Sequence, residues 1–254
     1  MKKAVFLVAA LAIVSACGGA PEKELCLMTY NVGAFSKYGE SSLPDIADII
    51  LRSEATLVSL NELDSCNRRH NQYQLQILAD SLGGWDCHFV QAFPFAGGAY
   101  GNGVVSRTPV LKRFGIALPQ GDGSEPRSVA VVETQDCVFA SVHLDFAGQT
   151  AALDQIAALN DWFTSHYSSS KKPVFLCGDM NSVPGSAPME ALSKVWNQLS
   201  GTEYTFSTER PHECIDFVFS LRSAVPVSVL SCRVLTEGTQ EASDHFPVLL
   251  RVKY

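Results

Sequence analysis

Six short polar clusters stand at the ends of apolar runs along this chain: Thr29-Tyr30-Asn31, Asn61-Glu62-Leu63-Asp64, Ser141-Val142-His143-Leu144, Gly178-Asp179-Met180-Asn181, Cys214-Ile215-Asp216 and Ser243-Asp244-His245. Together they hold carboxylates, amides and two imidazoles, the side chains that cation-assisted hydrolysis of a phosphate ester requires. One cluster alone carries little weight. Each, however, follows, sits within or precedes a strand-like run such as Leu57–Leu60 or Pro173–Cys177. A sheet built from such strands brings all six to one rim.

Glu62 ends a buried apolar run, where a carboxylate is costly unless it faces a cation or a donor, so it is read as a ligand for Mg²⁺ or Mn²⁺. Asn31 and Asp244 share that setting. Asn31 either holds the Glu62 carboxylate or coordinates through its own carbonyl. Asp64 either faces the same way or bridges to Arg68 or Arg69. Asp179 and Asn181 flank Met180 directly after a strand, and continued alternation points both at the rim. Asp179 then orients or deprotonates a water, while Asn181 holds Asp179 and a phosphate oxygen. The alternative is a Gly-Asp-x-Asn turn ahead of Pro184-Gly185. Asp216 lies within the run Ile215–Phe219, an expensive place for an unpaired carboxylate. His245 is its expected partner, serving as a base or as a positive stabiliser of the transition state. His143, at another strand end, is expected to donate to a non-bridging phosphate oxygen. His70, His88, His166 and His212 lack such settings and read as surface or loop residues, His212 being a candidate to line the site.

The elements that must position these groups follow from apolar spacing. Strands are expected over Leu25–Tyr30, Thr56–Leu60, His88–Phe93, Gly103–Ser106, Val110–Ala117, Ser128–Glu133, Cys137–His143, Pro173–Cys177, Ile215–Leu221, Val227–Leu235 and Phe246–Val252. Helices are expected over Leu43–Arg52, Gln72–Leu82, Gln149–Tyr167 and Met189–Lys194. Phe93–Ala99 reads as an apolar, glycine-bearing loop that walls the site. Strands outnumber helices, and the helices fall early, midway and in the last third. This pattern predicts an α/β fold: two packed mixed β-sheets with helices on their outer faces, in four layers.

Residues 1–16 read as a removed signal peptide. Lys2 and Lys3 are basic, and Ala4–Val14 is apolar but too short to span a bilayer. Val14-Ser15-Ala16-Cys17 resembles a bacterial lipoprotein signal, with Cys17 lipidated and residues 17–24 as a tether; an ordinary secretory signal is the alternative. The expected location is therefore the cell envelope, outside the cytoplasm and held to the membrane by lipid. Residues 25–254 form one domain, since no linker, composition shift or repeat divides them, and the chain is expected to be a monomer. The formal charge of −7, or −9 without Lys2 and Lys3, argues against a dedicated nucleic-acid binder without excluding a nuclease. It tilts the substrate towards a small molecule or lipid head group. Cys26, Cys137, Cys177, Cys214 and Cys232 lie in or beside strand-like runs and read as buried thiols, whereas Cys66 and Cys87 are candidates to pair.

The set of clusters resembles the endonuclease/exonuclease/phosphatase superfamily, which includes DNase I-like nucleases, sphingomyelinases and inositol-phosphate phosphatases. Tyr30-Asn31-Val32 resembles its opening asparagine motif, and Asn61-Glu62 its Gln-Glu motif with asparagine in place of glutamine. Tyr100-Gly101-Asn102-Gly103-Val104-Val105-Ser106-Arg107 resembles its central Gly-Asn strand. His143-Leu144, Gly178-Asp179-Met180-Asn181, Ile215-Asp216-Phe217 and Ser243-Asp244-His245 follow in the family's order. The resemblance implies a DNase I-like sandwich with its site on one rim. It implies Glu62 as the main metal ligand with Asn31 and Asp244 nearby, and Asp179, Asn181 and His143 acting on water and phosphate. Asp216 and His245 would form a dyad, and Arg127, Tyr100 and Asn102 would lie at the substrate. The chain departs from the family at Asp145-Phe146-Ala147-Gly148, where relatives often carry basic residues, and this leaves the leaving group open. The expected activity is metal-dependent phosphoester hydrolysis. A nuclease and a non-catalytic binding protein on the same scaffold are the alternatives.

Overall fold

The computed structural model describes residues 22–254. The signal segment and Cys17 lie outside the described residues. In the first of two mixed sheets, β1 (Glu24–Asn31) runs parallel to β2 (Leu57–Ser65). On one side β1 pairs with β12 (Val248–Lys253) and then β11 (Ser228–Val234). On the other side β2 pairs with β4 (Gly98–Ser106), and β3 (Asp86–Phe95) forms the edge. The second sheet runs β5 (Lys112–Leu118), β6 (Arg127–Glu133), β7 (Val138–His143), β8 (Val174–Asp179), β10 (Asp216–Leu221) and β9 (Trp196–Gln198), with β7 and β8 parallel.

The near-continuous apolar run of β1 has a simple cause, because both of its faces are covered. Leu25 and Leu27 meet the second sheet's Phe139, Phe175 and Val218. Met28 and Tyr30 instead pack in the core beneath α1 (Leu43–Ser53), whose Ile46, Ile49 and Ile50 repeat at helical spacing, and α2 (Gln74–Ser81) closes the same layer. On the far side α3 (Gln149–Tyr167) lays Ile156, Leu159 and Phe163 on Val129, Val131 and Leu176, with α4 (Ala187–Ser193) beside it. The order is helix, sheet, sheet, helix: the four layers expected. Among the described residues no helix is long and apolar enough to cross a membrane.

Strand direction gathers the polar clusters. The parallel pairs β1–β2 and β7–β8 end together, delivering Asn31, Glu62, His143 and Asp179. Antiparallel β10 begins at that rim, with Asp216 opposite Asp179, and β12 is preceded there by Asp244-His245. Ligands of open α/β sheets sit outside such strand ends for the same reason.

Three expectations are corrected. β2 continues past Leu60 to Ser65, with Leu60 opposite Gly103 but Leu63 opposite Gly101, so two residues face one. That is a β-bulge, and Glu62 occupies its left-handed position at φ 61°. Phe93–Ala99 is not a loop. It is a hairpin whose only connection is Ala96-Gly97, both at positive φ, as a two-residue turn between twisted strands requires. Pro94 is tolerated because β3 is an edge strand. Cys66 and Cys87 are both free. Cys66 abuts Gly98 at one end of β4, whereas Cys87 pairs with Val105 near the other, roughly 23 Å along the strand. A disulfide tolerates only about 7 Å between Cα atoms. The three-residue strand β9 was too short to be read from spacing.

Gly178 of β8 stands opposite Val142 of β7, and a β-carbon there would collide with the Val142 carbonyl. Gly178→Ala is expected to cost about 3 kcal/mol or more of stability, from strain at positive φ plus displaced backbone, as a urea-unfolding midpoint would show.

Candidate active site

The two sheets are joined beneath the rim by polar struts. Ser59 Oγ donates to Ser141 Oγ at 2.8 Å and Ser141 Oγ to the Leu60 carbonyl at 3.3 Å. Asn61 Nδ2 donates to the Val142 carbonyl at 2.9 Å and to Asn102 Oδ1 at 3.2 Å, while its Oδ1 accepts from the Asp179 amide at 3.1 Å. Asn102, expected at the substrate, is thereby corrected to a strut. It is buried, and its amide is spent on Asn61 and the Ser128 carbonyl.

Above these struts Asn31, Glu62, Asp179, Asn181, His143, Asp216, Asp244 and His245 converge. All but Asn31 and Asp216 line a cavity of about 340 Å³. A roomier hollow of about 550 Å³ bordered by Asp45, Thr208 and Glu241 gathers no comparable set. Asn31 takes the first of its two expected roles. Its Nδ2 donates to Glu62 Oε1 at 3.0 Å and to Asp179 Oδ2 at 3.1 Å, and its Oδ1 accepts from the Gly33 amide. Asn181 holds Asp179 through its backbone amide, 2.8 Å from Oδ1, and its side-chain amide donates to the Leu144 carbonyl.

Asp179, 1% exposed, sits between two imidazoles: His143 Nε2 at 3.6 Å and His245 Nε2 at 3.7 Å from Oδ2. Burial, and next the Asp216 charge, push its carboxyl up from the ordinary range. His245 Nδ1 lies 2.9 Å from Asp216 Oδ2, whose strand is pinned by Thr205 Oγ1 accepting from the Ile215 and Asp216 amides. Burial works against a His245 cation, but the charge and hydrogen bond of Asp216, then Asp179, outweigh it and raise His245 to about 10. His143 goes the other way. Burial, then the charges of Arg127 and His245, hold it well below its usual value. One imidazole is therefore a cation and the other neutral, set by their neighbours.

On the other side of Asn31, Glu62 and Asp244 face a cation already, the Lys37 ammonium, 2.6 Å from Asp244 Oδ2 and close enough to Glu62 to be raised by its charge as well. Two carboxylates that act on one ammonium, Asp244 by contact and Glu62 by charge alone, offer the oxygen ligands that a hard divalent ion takes, so these residues fit Mg²⁺ or Mn²⁺. Asp179, Asp216 and His245 also bring ligand atoms within 4.8 Å of one another. That trio is better read as a hydrogen-bonded acid–imidazole pair, since Nδ1 and Oδ2 are spent on each other.

The walls are Tyr100, Glu125, Arg127 and Phe146 on one side and Phe206, Glu213 and Ile215 on the other. Arg127, at 3% exposure, pairs with Glu125 at 3.5 Å, and its Nε, 4.0 Å from Asp145 Oδ2, makes no hydrogen bond. Phe206 lies 4.7 Å from the His245 ring. Lys37, Glu125, Phe206 and Glu213 carry no sequence signal as site residues, since only tertiary folding brings their loops here. Asp64 is not a site group. It is buried in β2 under a two-point Arg69 contact and His70. His88 bonds the Phe114 carbonyl from within β3, and His212 bonds the Arg210 carbonyl outside the cavity lining.

Residues 28–245 match the model of the Endonuclease/Exonuclease/phosphatase family, nearly the whole span that carries the clusters. The chain belongs to that family. The family fold recurs in solved structures. An endonuclease/exonuclease/phosphatase family protein from Bacteroides thetaiotaomicron superimposes with TM-score 0.74 at 19% identity, covering 92% of this chain and 99% of that one. A mannosyl-6-phosphatase from the same species gives 0.73 at 20% identity, with 91% and 100% covered. ANGEL2, a 2',3'-cyclic phosphatase, gives 0.73 at 15% identity, with 91% and 95% covered. No curated protein matches the chain.

Asp216→Asn removes the charge that keeps this endonuclease/exonuclease/phosphatase family member's His245 protonated. The imidazole is expected to lose its proton at least about two pH units lower than in the wild type. NMR titration of the ring would show it, and an unchanged titration would remove Asp216 as the cause.

Proposed function

We propose that the protein is a divalent-metal-dependent phosphoesterase, using Mg²⁺ or Mn²⁺ and in-line attack by water on a small phosphate ester. One observation carries this reading: the Asn31 amide bridges Glu62 and Asp179, tying the carboxylate on the cation side to the carboxylate on the water side. Glu62 and Asp244 would hold the cation, which when bound polarises a phosphoryl oxygen and offsets developing charge.

This chain's own groups do the rest. Asp179, raised by burial and aligned by Asn31 and Asn181, accepts the hydrogen bond of the attacking water and then its proton. A new O–P bond forms as the ester O–P bond breaks, and the proton taken by Asp179 is returned through solvent to the departing alkoxide, which leaves as the alcohol. His245, cationic through Asp216, neutral His143 and Arg127 supply donors to the phosphoryl oxygens. A mannosyl-6-phosphatase and a 2',3'-cyclic phosphatase share the fold, and both names are those of phosphatases. The acidity of the chain supports a small substrate. The reading extends to an envelope protein held outside the cytoplasm through lipidated Cys17, supported by the signal-like residues 1–17.

With Mg²⁺ or Mn²⁺ the purified protein is expected to hydrolyse bis-p-nitrophenyl phosphate and to stop with EDTA. Glu62→Ala and Asp179→Asn should each lower kcat by about 10³ without changing the fold measured by circular dichroism. No turnover under any metal would instead favour a binding protein on this scaffold. Palmitate labelling and membrane fractionation should both be lost in Cys17→Ser; a soluble wild type would reject the anchor.

A further inference from the structure

The walls beyond the phosphate-handling centre differ from what a polyanion requires. On one side Phe146 stands 63% exposed, with the Arg127 guanidinium carbon 5.8 Å from its ring centre. The adjacent Asp145 is buried and fixes the loop before β6. Its Oδ2 accepts from the Ser124 amide at 2.9 Å, the Ser124 hydroxyl at 3.1 Å and the Glu125 amide at 3.3 Å. That loop presents the Glu125 carboxylate to the cavity. Phe206 and Glu213 repeat the pairing of aromatic ring and carboxylate on the opposite side.

Charge narrows the choice of ligand. The cations on the cavity wall already face carboxylates, Lys37 with Asp244, Arg127 with both Glu125 and Asp145, and His245 with Asp216. A nucleic-acid strand would carry its flanking phosphates onto Glu125 and Glu213, where every cation among the described lining residues is already paired. A neutral polyol meets the reverse situation. Its hydroxyls are donors, for which ionised carboxylates are pure acceptors, and its polarised C–H face suits the electron-rich face of an aromatic ring.

We propose that the substrate is a phosphate ester of one neutral, polyhydroxylated ring, a sugar or cyclitol, lying on Phe146 with its hydroxyls donating to Glu125 and Glu213. This inference rests on the phosphoesterase reading above and names the substrate of that same site. Phe146, Glu125 and Glu213 are then specificity-determining residues, and hydrolysis consumes one water and releases the free ring alcohol and phosphate.

The test compares glucose 6-phosphate, myo-inositol 1-phosphate, ethyl phosphate and a short oligothymidylate as substrates. At least one ring phosphate is expected to exceed the oligothymidylate in kcat/KM by about a hundredfold or more. Phe146→Ala and Glu213→Gln should each lower the ratio of ring phosphate to ethyl phosphate by about tenfold. Calorimetry in the Asp179→Asn background reads ring-phosphate binding without turnover, and adding Phe146→Ala should weaken it by about tenfold. Preference for the oligothymidylate, or ring-phosphate binding indifferent to both Phe146 and Glu213, overturns the inference. If no ester is hydrolysed but Phe146-dependent binding persists, the phosphoesterase reading falls and the ligand class stands.

Discussion

The amide of Asn61 is where the two sheets meet. Its three hydrogen bonds reach the Val142 carbonyl, the Asp179 amide and Asn102, so one side chain fixes the end of β2 relative to the ends of β7 and β8. The groups divide across that seam: Asn31, Glu62 and Asp244 come from the first sheet's rim, and His143, Asp179 and Asp216 from the second's. Losing the amide would strand a buried backbone acceptor and donor, each costing about 1–3 kcal/mol. The bulge at Asn61-Glu62 lets adjacent residues serve different purposes, Asn61 as the joint between sheets and Glu62 as a carboxylate lining the cavity.

Burial then dictates protonation. Asp179 and Asp216 are both shut away from water, and two such carboxylates cannot share a small volume without an opposing charge. His245 supplies it between them, while burial first, then the charges of Arg127 and His245, hold His143, on the other flank of Asp179, well below its usual value. The contrast between the two rings arises from packing rather than from residue type. A donor of each charge class is held ready around a phosphate without rearrangement, which is what electrostatic preorganisation requires.

Much of this architecture was legible because apolar spacing and burial coincide. The limits of α3, Gln149–Tyr167, follow directly from its repeat, and most strands fall within two residues of their apolar runs. β2 was underestimated because its second half is the polar Asn61-Glu62-Leu63-Asp64, whose strand character depends on pairing with β4. The hairpin Phe93–Ala99 was hidden by proline and two glycines, residues that punctuate loops and equally serve an edge strand and a two-residue turn. Within the site, the acids and imidazoles were legible because each interrupts an apolar run. Lys37, Glu125, Phe206 and Glu213 interrupt nothing, and Asn102 has the residue type of a ligand but the surroundings of a strut.

The opposite end of β1 has its own bearing. Lys23 and Tyr254 exchange backbone hydrogen bonds there, so the first and last described strands are fastened at the rim remote from the cavity, about 25 Å along β1 from Asn31. Were the proposed lipid anchor present, its attachment would leave the fold at the rim opposite the cavity. A protein so moored would sample solutes drifting past in the surrounding fluid, and head groups of its own bilayer would lie behind it.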